Sequence, residues 1–114
     1  FREVRVIMTQ ILIAVNDIID CAKINEIAVK YGITAISSDN CKSAELSAII
    51  LDLGNKAMVD IVKNLHSNAP VIGFYSHVKT ELKEMANKAG WVAVPRSSLE
   101  KKLIEVFSKL TLHS

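Results

Sequence analysis

Short apolar runs alternate with longer stretches whose apolar residues recur at helical spacing. Ile11-Leu12-Ile13-Ala14-Val15 is a continuous run of strand length, the pattern of a strand buried on both faces. Asn16-Asp17 ends it, and either residue can cap a helix. In the stretch that follows, Cys21, Ile24, Ile27, Ala28 and Tyr31 fall on one helical face, and Gly32 is a natural stop. Ile33 to Ser37 predicts a second, weaker strand. Ser38 to Ser47 is polar and has room for at most two helical turns. Ala48-Ile49-Ile50-Leu51 predicts the third strand, ending at Asp52. Gly54-Asn55 turns the chain into a helix with the stripe Met58, Ile61, Val62 and Leu65. Pro70 precedes a fourth strand, Val71 to Phe74. The next helix carries Val78, Leu82, Met85, Ala86 and Ala89, with Gly90 at its C′ position. Trp91 to Val94 predicts the fifth strand, stopped by Pro95. Ser97-Ser98-Leu99-Glu100 reads as a capping box. It opens a last helix with Leu99, Leu103, Val106, Phe107 and Leu110 inward.

This βαβαβαβαβα alternation predicts one parallel sheet. Crossovers through helices are right-handed, so helices cover both faces. The expected architecture is an α/β, flavodoxin-like three-layer sandwich with strand order 2-1-3-4-5 and a short second helix. A single domain over residues 8–114 accommodates all of it. Residues 1–7 read as an N-terminal extension or as residues foreign to the natural chain. Alternatively, Val4 and Val6, alternating with charges, prolong the first strand.

Composition narrows the class. At 114 residues and 50% hydrophobic, the chain has one domain's worth of core and needs no disulfide or metal to fold. Mean hydropathy is high, +0.27, yet no run of about 20 apolar residues exists, so no membrane-spanning helix is expected. Net charge is +2 with Lys and Glu interspersed, and no basic stripe with stacking aromatics points to nucleic acid. Cys21 and Cys41 have no metal-ligand spacing and read as free thiols of a reducing cytosol. No signal peptide is expected, and a cytoplasmic location is.

In a sheet of this order, ligands sit outside the carboxyl ends of the strands, near the first and third. Asn16-Asp17, Asp52, Tyr75-Ser76-His77 and Arg96-Ser97 all fall there. Clustered carboxylates can hold Mg²⁺, and an aspartate beside it can accept a phosphoryl group. A hydroxyl and a cation would contact the phosphoryl oxygens. Each residue has a plainer reading: Asp17 and Ser76 as helix caps, His77 as a loop residue, His66 as structural or solvated. Asp52 resists one, because a carboxylate ending a core strand costs burial energy unless paired. Arg96 precedes a helix start, where a cation gains nothing from the dipole, so an anion or carboxylate partner is expected. No GxGxxG follows the first strand, and neither a P-loop nor a GxSxG elbow occurs. The polar, acidic Asn-Asp-Ile-Ile-Asp segment also lacks the composition of a flavin phosphate loop.

Residues 9 to about 110 resemble the receiver domain of response regulators. The resemblance is carried by Ile11–Asp17 (ILIAVND), Ala48–Leu53 (AIILDL), Pro70–His77 (PVIGFYSH), Ala89-Gly90 and Val94-Pro95. More narrowly, GFYSHVKTEL and VPRSSL resemble a group of uncharacterised receiver-like proteins of bacteria and archaea with recurring GF-x-SHV and PRS segments. The resemblance implies Asp52 as phosphoacceptor, Asp17 and Asp52 as Mg²⁺ ligands, and a switch hydroxyl at Ser76 or Tyr75. His77 and Arg96 would be anion contacts. Departures accompany it. One carboxylate, Asp17, stands where receivers have two. Val94 replaces the lysine before the proline, and Leu53-Gly54-Asn55 replaces the usual Met-Pro turn.

The resemblance therefore implies a stand-alone, pseudo-receiver docking module in signalling. It is expected to need no cofactor, to perform no enzymatic step and to bind protein partners. Self-association is expected on the face of the fourth helix, fifth strand and last helix, where Trp91 and Tyr75 are candidate contacts. Two alternatives stand beside it. One is a working single-domain regulator, phosphorylated on Asp52 by a sensor kinase with Mg²⁺. The other is a small-anion or nucleotide-binding protein using Ser76, His77 and Arg96.

Overall fold

The structure, a computed structural model, describes residues 9–37, 46–65, 68–76 and 80–111. Its elements run β1 (Gln10–Ala14), α1 (Ile18–Lys30), β2 (Thr34–Ser37), β3 (Ala48–Asp52), α2 (Lys56–Lys63), β4 (Val71–Tyr75), α3 (Thr80–Lys88), β5 (Val92–Pro95) and α4 (Leu99–Thr111). The strands form one sheet of order β2-β1-β3-β4-β5, and every pairing is parallel. This is the predicted topology. The short helix expected between Ser38 and Ser47 and the N-terminal extension fall, in whole or large part, outside the described residues. So do Cys41, His66, His77 and Val78.

The sheet separates two cores, because successive side chains of a strand point to opposite faces. On one face Ile11, Ile13, Val15, Ile50, Ile72 and Phe74 meet α1 and α4, with Ile24, Ile27, Leu103 and Phe107 pointing inward. On the other, Leu12, Ile49, Leu51, Val71 and Tyr75 meet α2 and α3 through Val59, Val62 and Ala86. The middle strands β1, β3 and β4 are buried on both faces, which is why they read as unbroken apolar runs. No helix among the described residues is long and apolar enough to cross a membrane.

Most helical stripes match their predicted faces; α2 does not. Val59 is 4% exposed and Ile61 is 37% exposed, so the inward stripe runs through Met58, Val59, Val62 and Leu65 rather than through Ile61. Residues 58, 61, 62 and 65 fit a helical repeat as well as 58, 59, 62 and 65 do, and only the docking angle on the sheet decides between them. The capping box is also corrected. Arg96–Ser98 form a 3-10 turn that enters α4, and Ser97 lies inside it instead of at an extended cap position. β5 begins at Val92 and includes Pro95, which an edge strand tolerates because its missing N–H breaks no ladder bond. Gly32 and Gly90 take positive φ, 69° and 80°, in the turns that end α1 and α3, as predicted.

Asp17 caps α1: its Oδ1 accepts the N–H groups of Ile19 at 2.9 Å and Asp20 at 3.1 Å. Replacing a cap of this kind with alanine costs about 1 kcal/mol. An Asp17→Ala variant is expected to lose about that much in urea unfolding. A loss below roughly 0.3 kcal/mol would mean that water serves these amides equally well.

Candidate functional site

The candidate site is built at the carboxyl ends of β1, β3, β4 and β5. Asp52 is the last residue of β3 and pairs in register with Phe74 of β4. Register partners point to the same face, so Asp52 and Phe74 both face the α1–α4 side. Asp52 Oδ1 accepts the N–H of Gly54 at 3.0 Å, and its carbonyl accepts the N–H of Asn55 at 3.1 Å. This Asx turn directs the chain into α2, whose cap is Asn55, with Oδ1 3.2 Å from the Met58 nitrogen.

Arg96 follows β5 and reaches back across the sheet end. Its Nη2 donates to both carboxylate oxygens of Asp20, at 2.6 and 2.5 Å. Its guanidinium carbon lies 5.7 Å from the centroid of the Phe74 ring. The Asp20 side chain is only 12% exposed and that of Arg96 is 53% exposed. A charge-assisted bond and a cation–π contact thus hold one guanidinium over the ring beside Asp52. The carboxylate partner expected for Arg96 is found, and it is Asp20. That residue was hidden in the sequence because an acid in a helix's first turn already has a reason to be there, the helix dipole.

The remaining residues divide. Tyr75 is 7% exposed and packs in the core on the α2–α3 face, while Ser76 is exposed at the strand end. Of the two hydroxyls suggested for the switch position, Ser76 is the one presented to solvent. Val94, the residue before Pro95, packs against the α1–α4 core. Cys21 is a free thiol whose Sγ donates to the Val15 carbonyl at 2.9 Å. Partial burial, then the charges of Asp20 and Asp17, push its pKa up, which keeps it a protonated thiol and a poor nucleophile.

Mg²⁺ takes one or two carboxylates and keeps several waters. Asp17 Oδ1 is committed to two amides of its own helix, Asp52 Oδ1 to Gly54, and Asp20 to Arg96. Among the described residues no group of three or more His, Cys, Asp or Glu side chains gathers. These bonds engage one oxygen each of Asp17 and Asp52 and both oxygens of Asp20. Two concave surfaces border the site. One, about 360 Å³, lies between α1 and α4 beside Asp20, Arg96 and Glu100. The other, about 600 Å³, lies at the ends of β1 and β2 and is lined by uncharged residues, among them Val15, Asn16, Cys21 and Ser37.

Strand order, acid at the end of the middle strand and helices on both faces can be compared with solved structures. A response regulator receiver protein from Burkholderia phymatum superposes with a TM-score of 0.68 at 17% identity, covering 88% of this chain and 95% of that one. The fold is that of a receiver domain. A response regulator from Hahella chejuensis gives a TM-score of 0.60 at 15% identity over 88% of this chain and 90% of that one. A fusion carrying the trimeric coiled coil of yeast Spc42 gives 0.68 at 19% identity over 96% and 80%. No family model matches the sequence, and no curated protein matches it. The likeness to receivers is therefore one of fold, carried by topology rather than by shared residues.

Proposed function

We propose that this chain is a receiver-type signalling or regulatory domain that acts by binding protein partners, without ordinary aspartate phosphotransfer and without an enzymatic step of its own. The observation that carries this reading is the commitment of Arg96 to Asp20. A phosphoryl group on Asp52 needs a nearby cation. Val94 holds the lysine's place, and the guanidinium that follows it is already neutralised. A lost charge-assisted contact removes about 1.5–3 kcal/mol from a phosphorylated state. Asp17, Asp20 and Asp52 each hold a bond within the chain with which a metal would compete.

A working receiver, phosphorylated on Asp52 by a sensor kinase, is the second reading. It draws on the position of Asp52 at the end of the middle strand, beside the switch point of the sheet. A small-anion site at Ser76 and Arg96 is less favoured, because the guanidinium is paired within the chain. Beryllofluoride, which mimics a phosphoryl group on a carboxylate oxygen, separates these readings. With Mg²⁺ added, the amide signals of Asp52, Leu53 and Gly54 are expected to stay in place in ¹H–¹⁵N spectra. Saturable shifts at these three amides would establish the working receiver instead.

A further inference from the structure

Asp20 and Arg96 form an unequal pair. The carboxylate belongs to the first turn of α1 and is nearly buried, so the helix fixes it in place. The guanidinium ends a long, half-exposed side chain on the 3-10 turn that follows β5. Both bonds between them use Nη2; neither Nη1 nor Nε takes part. Asp20 thus occupies one corner of the fork rather than a full edge of it. The arginine is the member of the pair that is able to turn.

Asp52 is what it would turn to. Phe74, whose ring carries the guanidinium at 5.7 Å, is the register partner of Asp52, and the two side chains stand side by side on one face of the sheet. A negative group bonded to the Asp52 carboxylate therefore competes with Asp20 for the same cation. Among the described residues, the other cation lining the groove between α1 and α4 is Lys23, and it lies 4.0 Å from Glu100. Burial decides the competition. Drawing Arg96 away leaves Asp20 as a nearly buried carboxylate without its cation, and an unpaired charge in such a place is costly.

We propose that Asp20 is a built-in blocking group: its carboxylate occupies Arg96 in place of an anionic group on Asp52, and so holds the receiver-type site shut. This rests on the reading that the pairing of Arg96 leaves Asp52 without a cation, and adds that one carboxylate maintains the block. Asp20→Asn removes the charge and keeps the shape of the side chain. Arg96 can then leave Asn at this position without stranding a charge, and it serves an anion on Asp52 from its place over Phe74.

Titration with beryllofluoride and Mg²⁺ tests it in three chains: wild type, Asp20→Asn, and Asp20→Asn combined with Arg96→Gln. The amides of Asp52, Leu53 and Gly54 are followed, and thermal melts check that each chain is folded. Asp20→Asn is expected to bind about tenfold more tightly than the wild type or better, the worth of one charge-assisted bond. The double variant is expected to lose that gain. Asp20→Ser, which removes the charge with a smaller side chain, is expected to behave as Asp20→Asn does. Single variants that bind no better than the wild type would overturn the proposal, and so would a double variant that keeps the gain. Tight binding by the wild-type chain would instead sink the reading of Asp52 as silent. The block by Asp20 would still be judged by the ratio of affinities between Asp20→Asn and the wild type.

Discussion

Phe107→Ala is expected to lower unfolding stability by about 3–5 kcal/mol. Phe107 is fully buried on α4, and its ring meets that of Tyr31 edge to face with centroids 6.3 Å apart. It is the largest side chain that α4 contributes to the α1–α4 core. Removing the ring leaves a cavity between two helices and the sheet, which a layer fixed by parallel strands closes only in part. For a domain of this size the change amounts to a fall in Tm of roughly 12–25 °C. Urea unfolding followed by far-UV circular dichroism measures it. A loss below about 1.5 kcal/mol would show that α4 can be repacked and does not anchor this face.

Gly73→Ala is expected to cost about 1–3 kcal/mol and to disturb the site as well as the core. A Cβ at this position in β4 would lie 2.7 Å from both Cγ and Cδ2 of Leu53. Leu53 is 2% exposed, so its side chain has little room to move aside. Leu53 directly follows Asp52, and its N–H bonds to the Phe74 carbonyl at 3.0 Å. Pressure on Leu53 therefore reaches the Asx turn that orients the Asp52 carboxylate. Combining Gly73→Ala with Leu53→Ala removes the clash and leaves a cavity. The double variant is expected to be less destabilised than the sum of the two single losses. Strict additivity in urea titrations would mean that the glycine is there for backbone conformation, not for this contact. Amide shifts at Asp52 and Gly54 in Gly73→Ala provide the readout at the site.

Both sites expose the limit of pattern reading. The glycine in Val-Ile-Gly-Phe-Tyr is an interruption in a strand run, and the sequence offers no reason for it. The reason is Leu53, twenty residues away, packed on the same spot. The candidate site behaved in the same way. Asp52 was legible because a carboxylate closing an apolar strand is conspicuous in so aliphatic a chain. Asp17 was legible as a cap, because capping depends on neighbours two and three residues ahead. Asp20 and Phe74 went unread as site members, since each has a sufficient local reason to be where it is.

Local periodicity and turn chemistry determined the strands, their helices and, through the right-handed crossover rule, the order β2-β1-β3-β4-β5. They did so because hydrophobic spacing acts over a few residues and right-handed crossovers leave only a few topologies, of which this doubly wound order is a common one. The sequence by itself also placed the polar cluster at the carboxyl ends of the strands. What it did not determine are the meetings between residues far apart in the chain. The tertiary structure decided that Arg96 binds Asp20 above Phe74, that Val59 turns inward in place of Ile61, and that α1 leaves Ile18 and Val29 outside. These outcomes depend on the angle and height at which each helix docks on the twisted sheet, and that geometry is set by all the side chains packed between the layers at once.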